Sequence, residues 1–238
     1  MDIKETYIAS FDIGFKNFAF YIEKVDLTSL ENIQDVEKDK RFKEDGTPTD
    51  DMNLLLDKLY KTGTTILHVN TDISQGCNTK IKSVDNKILL NMNDLLDKYH
   101  EYWSKCSSIV IEQQMQFGRF KQNTKAVKIG HHCQSYFLCK YKDKHIIEFP
   151  SYYKTQILGC QKIKGKKYKN GNYSWKSISK PNRKKWAIVK ATDILKLRNE
   201  ENHILNIKNK SKKDDLADTL VQLQSYKYIH YIEKDNLY

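Results

Sequence analysis

The sequence predicts an α/β domain: a mixed five-stranded sheet with helices on both faces. Three observations predict it. Two short apolar runs near the start are joined by a tight link, the pattern of an antiparallel hairpin. Two later β-branched runs each follow a segment of helical periodicity, the pattern of helix-linked strands. The remaining apolar periodicity is helical, which supplies cover for both faces of a sheet.

The elements follow in order. Tyr7-Ile-Ala-Ser-Phe-Asp12 is the first strand and Phe18-Ala-Phe-Tyr-Ile-Glu-Lys24 the second, with Gly14, Lys16 and Asn17 in the link. Residues 26–86 read as a polar, irregular insertion, with 37–50 its least ordered part and Ile66-Leu-His-Val69 a candidate third strand. Over 87–105, Ile88, Leu89, Leu95, Leu96, Tyr99 and Trp103 fall at helical spacing; Ser108-Ile-Val-Ile111 is then a strand ending at Glu112. A second helix-plus-strand unit comprises Thr124 to about Lys140 and His145-Ile-Ile-Glu-Phe149, closed by Pro150. Residues 160–182 read as a basic loop. A helix from about Arg183 to Leu197 and another from about Ser211 to Tyr231 complete a single domain over 1–238.

Composition narrows the class of function. The chain is 39% hydrophobic and 11% aromatic, enough to build a core. No run approaches the roughly 18 apolar residues of a spanning helix, and the first residues lack the basic and apolar regions of a signal peptide. The five cysteines, Cys77, Cys106, Cys133, Cys139 and Cys160, form no C-x-x-C and read as free thiols of a reducing compartment. His131-His132-Cys133 with Cys139 matches no standard zinc spacing.

Charge is unevenly placed. Residues 1–60 hold eight Lys/Arg against fourteen Asp/Glu, whereas the remaining 178 hold 33 against 16. Residues 161–185 alone carry ten Lys/Arg and no acid, interrupted by Tyr168, Tyr173 and Trp175. Such asymmetry suits a polyanion, whose condensed counterions are released on binding; a solvated lysine-rich surface is the plainer alternative.

Carboxylates mark the candidate chemistry. Asp12 and Glu112 each end a very apolar strand, where a carboxylate is costly without a partner. Asp12 alone is also a turn cap at Gly14, but the recurrence at Glu112 suggests a cluster on one sheet edge able to hold two metal ions. In Lys213-Asp214-Asp215-Leu-Ala-Asp218, Asp215 and Asp218 are i and i+3, and Asp214 and Asp218 i and i+4, so either pair shares a helix face. Acids in a first turn also stabilise a helix through its dipole by about 0.3–1 kcal/mol each, with no chemistry implied. Leu216, Ala217, Leu220 and Val221 indicate that this turn is packed.

FDIGFKN at 11–17, IEQQ at 111–114 and DDLAD at 214–218, in that order with a basic stretch and helix before the last, resemble the motifs of RuvC-type Holliday-junction resolvases, especially those of poxviruses and related large DNA viruses. The resemblance spans nearly the whole chain apart from 26–86. It implies a ribonuclease-H-like fold, a homodimer, cleavage of four-way DNA junctions, and dependence on two Mg²⁺ ions, with Mn²⁺ a substitute. Asp12, Glu112, Asp215 and Asp218 match the family's catalytic, metal-binding carboxylates, leaving Asp214 as a flanking acid. Lys16, Asn17, Lys162, Lys164, Lys166, Lys167, Lys169, Arg183, Lys184 and Lys185 are the candidate DNA contacts. The virus-like pattern places the protein inside a host cell, away from membranes, in recombination and repair. Two other readings stay open: another ribonuclease-H-like nuclease acting on flaps, branched DNA or RNA–DNA hybrids, and a non-catalytic nucleic-acid-binding protein.

Overall fold

Strand order brings the carboxylate-bearing strand ends together. The computed structural model describes residues 4–81, 83–114, 124–204 and 213–234. Its main sheet contains β1 (Glu5–Asp12), β2 (Phe18–Asp26), β3 (Gly63–Thr71), β4 (Cys106–Glu112) and β5 (His145–Phe149), in the order β3-β2-β1-β4-β5. β2 runs antiparallel to both β1 and β3, and β4 and β5 run parallel to β1. Phe11 aligns with Ile111 and Glu112 with Phe149, so the strands carrying Asp12 and Glu112 end side by side with β5 next to them. That carboxyl edge is where open α/β sheets place their sites.

Alternation along the strands decides which helix layer each residue meets. Ile8, Tyr21, Val110, Ile147 and Phe149 face a layer made by α1 (Leu27–Glu31), α2 (Asp50–Lys61), α7 (Lys180–Leu197) and α8 (Lys213–Lys227). Ala9, Phe11, Phe20, Ile22, Ile109 and Ile111 face α3 (Asn86–Lys98), α4 (His100–Lys105) and α5 (Thr124–Lys140). Asp12 and Glu112 share the parity of Ile8 and Val110, which directs them towards α8. On the opposite face Trp103 is fully buried, its ring centroid 5.4 Å from Phe11 and 5.7 Å from Phe137. Truncating so large a core side chain costs about 3–5 kcal/mol.

The structure departs from the sequence reading in four places. Residues 26–86 are not mostly irregular. Within them α2 is capped by Thr49, whose side chain accepts from the Met52 N–H, and buries Met52, Leu55, Leu56, Leu59 and Tyr60, while β3 extends over nine residues. The helical segment 87–105 breaks at Tyr99 into α3 and α4, and the Trp103 indole N–H donates to the Leu96 carbonyl at 2.7 Å. The basic stretch is a β-hairpin, β6 (Lys162–Lys167) with β7 (Tyr173–Ser177), and α7 already begins at Lys180. The last helix continues beyond Lys227 as a π-helical turn, Tyr228–Glu233; its expected start at Ser211 lies outside the described residues. All five cysteines are free.

Candidate active site

Three elements close on the carboxyl edge of the sheet. Asp12 and Glu112 arrive on β1 and β4, and their carboxyl groups hydrogen-bond to each other. α6 (Tyr153–Ile157) begins just past the end of β5 and carries Lys154, which is 6% exposed. Its ammonium donates to Glu112 Oε1 at 2.8 Å and lies 3.8 Å from Asp218 Oδ1. Asp218 comes from the first turns of α8. The link from β1 to β2 turns tightly at Gly14, where any Cβ would sit 2.8 Å from the Asn17 carbonyl oxygen.

α8 is fixed in register by Gln222, one turn beyond Asp218. Its buried amide donates to Ser10 Oγ at 3.0 Å, the Phe11 carbonyl at 3.1 Å and the Val110 carbonyl at 3.4 Å. One side chain thus ties the helix to both strands that present Asp12 and Glu112. Asp214 forms an ion pair with Lys184 of α7, and Asp215 and Asp218 also feel the Lys184 charge.

The electrostatics follow from burial in a crowd of acids. Burial, then the negative Glu112, pushes the Asp12 carboxyl well above its ordinary range, and a hydrogen bond links it to Glu112. Burial also raises Glu112, but the Lys154 ammonium, the Asp12 hydrogen bond and Lys180 outweigh it and hold Glu112 below the usual value. Asp218 is raised, first by burial and then by Glu112, with Lys154 opposing. Burial presses the Lys154 proton off, yet Glu112, Asp218 and Asp12 more than offset that and hold it charged.

Among the described residues no three His, Cys, Asp or Glu side chains are grouped tightly enough to hold a metal ion as they stand. The carboxylates gather round the Lys154 ammonium instead. That ammonium is a cation already seated among hard oxygen donors, and such donors suit Mg²⁺ rather than softer metals. By the chemistry of its donors the set fits a hard divalent ion. Zinc at His131, His132, Cys133 and Cys139 finds no such support: His132 Nε2 is 3.1 Å from Asn93 Oδ1, and Cys133 is in the core with its thiol pKa pushed up by burial.

Of the sequence candidates, Asp12, Glu112 and Asp218 come together, and Asp215 lies on the same turn as Asp218. Lys184 is drawn in through Asp214. Lys16 is exposed and Asn17 half-buried on the β1–β2 link beside Asp12. Lys162, Lys164, Lys166, Lys167 and Lys169 are exposed on the hairpin, and Arg183 and Lys185 lie on the first turns of α7. The sequence reading missed Lys154, Gln222 and Lys180.

The fold these features define is the ribonuclease-H-like one, a mixed five-stranded sheet flanked by helices. Two solved structures carry the same fold: the fowlpox virus resolvase in complex with substrate Holliday-junction DNA, with a TM-score of 0.52 and 20% identity over 94% of this chain and 98% of that one, and the fowlpox virus Holliday-junction resolvase, at 0.51 and 16% over 94% and 99%. No protein-family model matches the sequence. The chain belongs to the family of protein 170L of Invertebrate iridescent virus 6, described as uncharacterized, to which it is 33% identical over 97% of this chain and 92% of the relative. Uncharacterized protein 97L of Invertebrate iridescent virus 3 is 27% identical over 92% and 98%.

Proposed function

We propose that the protein is a virus-encoded, structure-specific DNA endonuclease that resolves four-way junctions by metal-dependent phosphodiester hydrolysis. The observation that carries this reading is the convergence of Asp12, Glu112 and Asp218, with Asp215 alongside, on one sheet edge around a buried lysine. An acid cluster of this kind is expensive to keep for structure alone. The fold shared with the fowlpox enzyme supports the choice of substrate. No helix among the described residues is long and apolar enough to cross a membrane.

Asp12, Glu112, Asp215 and Asp218 would hold two Mg²⁺ ions, with Mn²⁺ able to replace them. Bound there, the ions supply activation of the attacking water and neutralise charge on the leaving 3′-oxygen, chemistry that yields 5′-phosphate and 3′-hydroxyl ends. The chain's own residues do the rest. Lys154 offers a buried positive charge to the scissile phosphate, and its displacement frees Glu112 and Asp218 for cations. Lys184 and Lys180 flank the site from α7, Lys16 and Asn17 from the β1–β2 link. Arg183, Lys185 and the hairpin lysines 162, 164, 166, 167 and 169 bind flanking phosphates. Paired cuts across a junction call for two sites related by a two-fold axis, hence a homodimer. Its setting is the host-cell site of viral DNA replication, recombination and repair.

The test is cleavage of a labelled immobile four-way junction beside linear duplex, flap and RNA–DNA hybrid, with Mg²⁺ and with EDTA. Symmetric, metal-dependent nicks in the junction alone are expected. Preferential cutting of another substrate replaces the function within the same fold, and binding with no cutting under any metal removes the enzyme assignment.

A further inference from the structure

The β6–β7 hairpin has two unlike faces. Lys164 pairs with Trp175 and Lys167 with Tyr173, so Lys164, Lys167, Tyr173 and Trp175 share one face. The Lys164 ammonium lies 5.1 Å from the Tyr173 ring centroid and that of Lys167 5.6 Å, although the ring is 41% exposed. The opposite face carries Ile163 and Lys176 and no aromatic side chain. An exposed tyrosine held beneath two lysines does not belong to a core. It is an aromatic platform with cations at its margins, the surface on which unpaired bases stack while their phosphates are neutralised.

Position connects this surface to the site. The hairpin leaves the body between α6, which carries Lys154, and α7, whose first residue Lys180 acts on Glu112. Strands of this length reach about 20 Å, a span of several nucleotides. Its base is fixed. The Lys162 N–H donates to the Asp45 carbonyl at 2.6 Å, Gln161 Nε2 donates to Asp45 Oδ2 at 3.3 Å, and Gly159, with φ of 73°, passes Pro48 where a Cβ would lie 2.3 Å away. An arm braced in this way meets its ligand with little further ordering to lose.

We propose that the Tyr173 face of this hairpin is a base-stacking surface for the unpaired nucleotides at a DNA branch point, and that it holds the strand next to the one being cut. This rests on the reading of the protein as a junction nuclease and adds to it a feature of the substrate: bases that are open near the crossover. Stacking is stronger than cation–π attraction at an exposed ring, so an arriving base displaces the lysines from Tyr173 onto its own phosphates.

Binding of the full chain would be measured in EDTA, without cleavage, to oligothymidine, to a four-way junction with unpaired bases at the crossover, and to linear duplex. Tyr173→Ala is expected to weaken binding to the first two by roughly 5- to 150-fold, the effect of one stacked base. Tyr173→Phe keeps it, and duplex affinity and the salt slope do not change. In the wild-type protein, iododeoxyuridine at the crossover should photocrosslink to Tyr173, a readout that needs no variant. Equal loss on duplex, which would mean that the ribbon lies in a groove, overturns the proposal, as do unchanged binding by Tyr173→Ala or crosslinks confined to other residues. None of these readouts depends on cleavage, so a protein that cuts nothing refutes the nuclease reading while leaving this surface to be judged separately.

Discussion

Two buried charge clusters lie in the molecule, and they are built differently. Beside Ile8, away from Asp12, Glu23 of β2 is fully buried and its hydrogen bonds favour its charge. Lys227 Nζ donates to it at 2.6 Å, Arg198 Nη1 at 3.0 Å, Tyr21 Oη at 2.8 Å and Gln224 Nε2 at 2.7 Å. Two cations share one carboxylate, and polar groups take up the remaining capacity. At the carboxyl edge the proportions reverse, with Asp12, Glu112 and Asp218 gathered about the Lys154 ammonium, and Lys180 and Lys184 acting on them from α7. The Glu23 cluster is complete in itself, and its partners lock β2 to α8 and to Arg198 just beyond α7. In the other cluster burial and Glu112 disfavour the Asp12 charge, so it gains from an added cation. The difference separates a buried charge satisfied within the fold from the acid cluster to which the proposed function assigns the chemistry.

The comparison is sharpened most by Asp12→Asn. Cleavage should fall to the level of the uncatalysed control, while metal-free stability in urea stays within about 0.5 kcal/mol of wild type, because burial and Glu112 already disfavour a charge on Asp12 there. A large loss of stability would mean that the acid cluster is structural after all. Glu23→Ala should do the reverse. It strands Lys227 and Arg198 in the interior and should cost about 3–5 kcal/mol in urea unfolding, with cleavage per folded molecule preserved at low temperature.

A pH titration of stability tests the same cluster. Burial works against the Glu23 charge, but Arg198 and Lys227 hold its pKa at about 2 against an ordinary 4.5. The unfolded chain therefore takes up the proton first. The contribution is fully present above about pH 4.5 and is lost as pH falls towards 2, roughly 3 kcal/mol in all, a limb that Glu23→Gln should flatten. Lys227 behaves oppositely to a lysine that gains from its partner. Burial outweighs Glu23, Arg198 adds repulsion, and its pKa drops from 10.5 to about 8. Its unfolded form keeps a proton that the folded form releases, so this group should make stability rise between about pH 8 and 10.5. Gln222→Leu is expected to cost about 1–3 kcal/mol by leaving Ser10 and two carbonyls without their donor, yet to reduce cleavage more than that loss explains, since α8 then carries Asp218 without its anchor.

Much of this was legible in the sequence for local reasons. A carboxylate ending an apolar strand is visible in the strand itself, which is why Asp12 and Glu112 stood out, and β5 and α5 follow directly from periodicity. Lys154 was hidden because its importance is non-local. Pro150-Ser-Tyr-Tyr-Lys154 reads as an ordinary turn, and only the parallel pairing of β5 with β4 puts that turn beside Glu112. Parallel pairing was itself predictable, so the residues just past the end of β5 carried the available signal. Glu23, an acid in the interior of β2, and Gln222, a polar residue on the buried stripe of α8, were signals of the same kind. α2 had a capping threonine, acids in its first turn and apolar residues at helical spacing, all submerged when 26–86 was read as one polar block. The basic hairpin was obscured by lysines, whose poor strand propensity is overruled here by cross-strand pairing.

Alternation also makes the site a check on assembly. Asp12 and Glu112 face α8 only while β1 and β4 pair in their present register. A slip of one residue would turn Glu112 into the layer of Phe11, Trp103 and Phe137, where a carboxylate has no partner. A chain that has docked its strands wrongly is thus both penalised energetically and unable to assemble the acid cluster. On the proposed nuclease reading this is a safeguard: half-made molecules would be harmless, and the capacity to break a strand would be acquired only together with the finished fold.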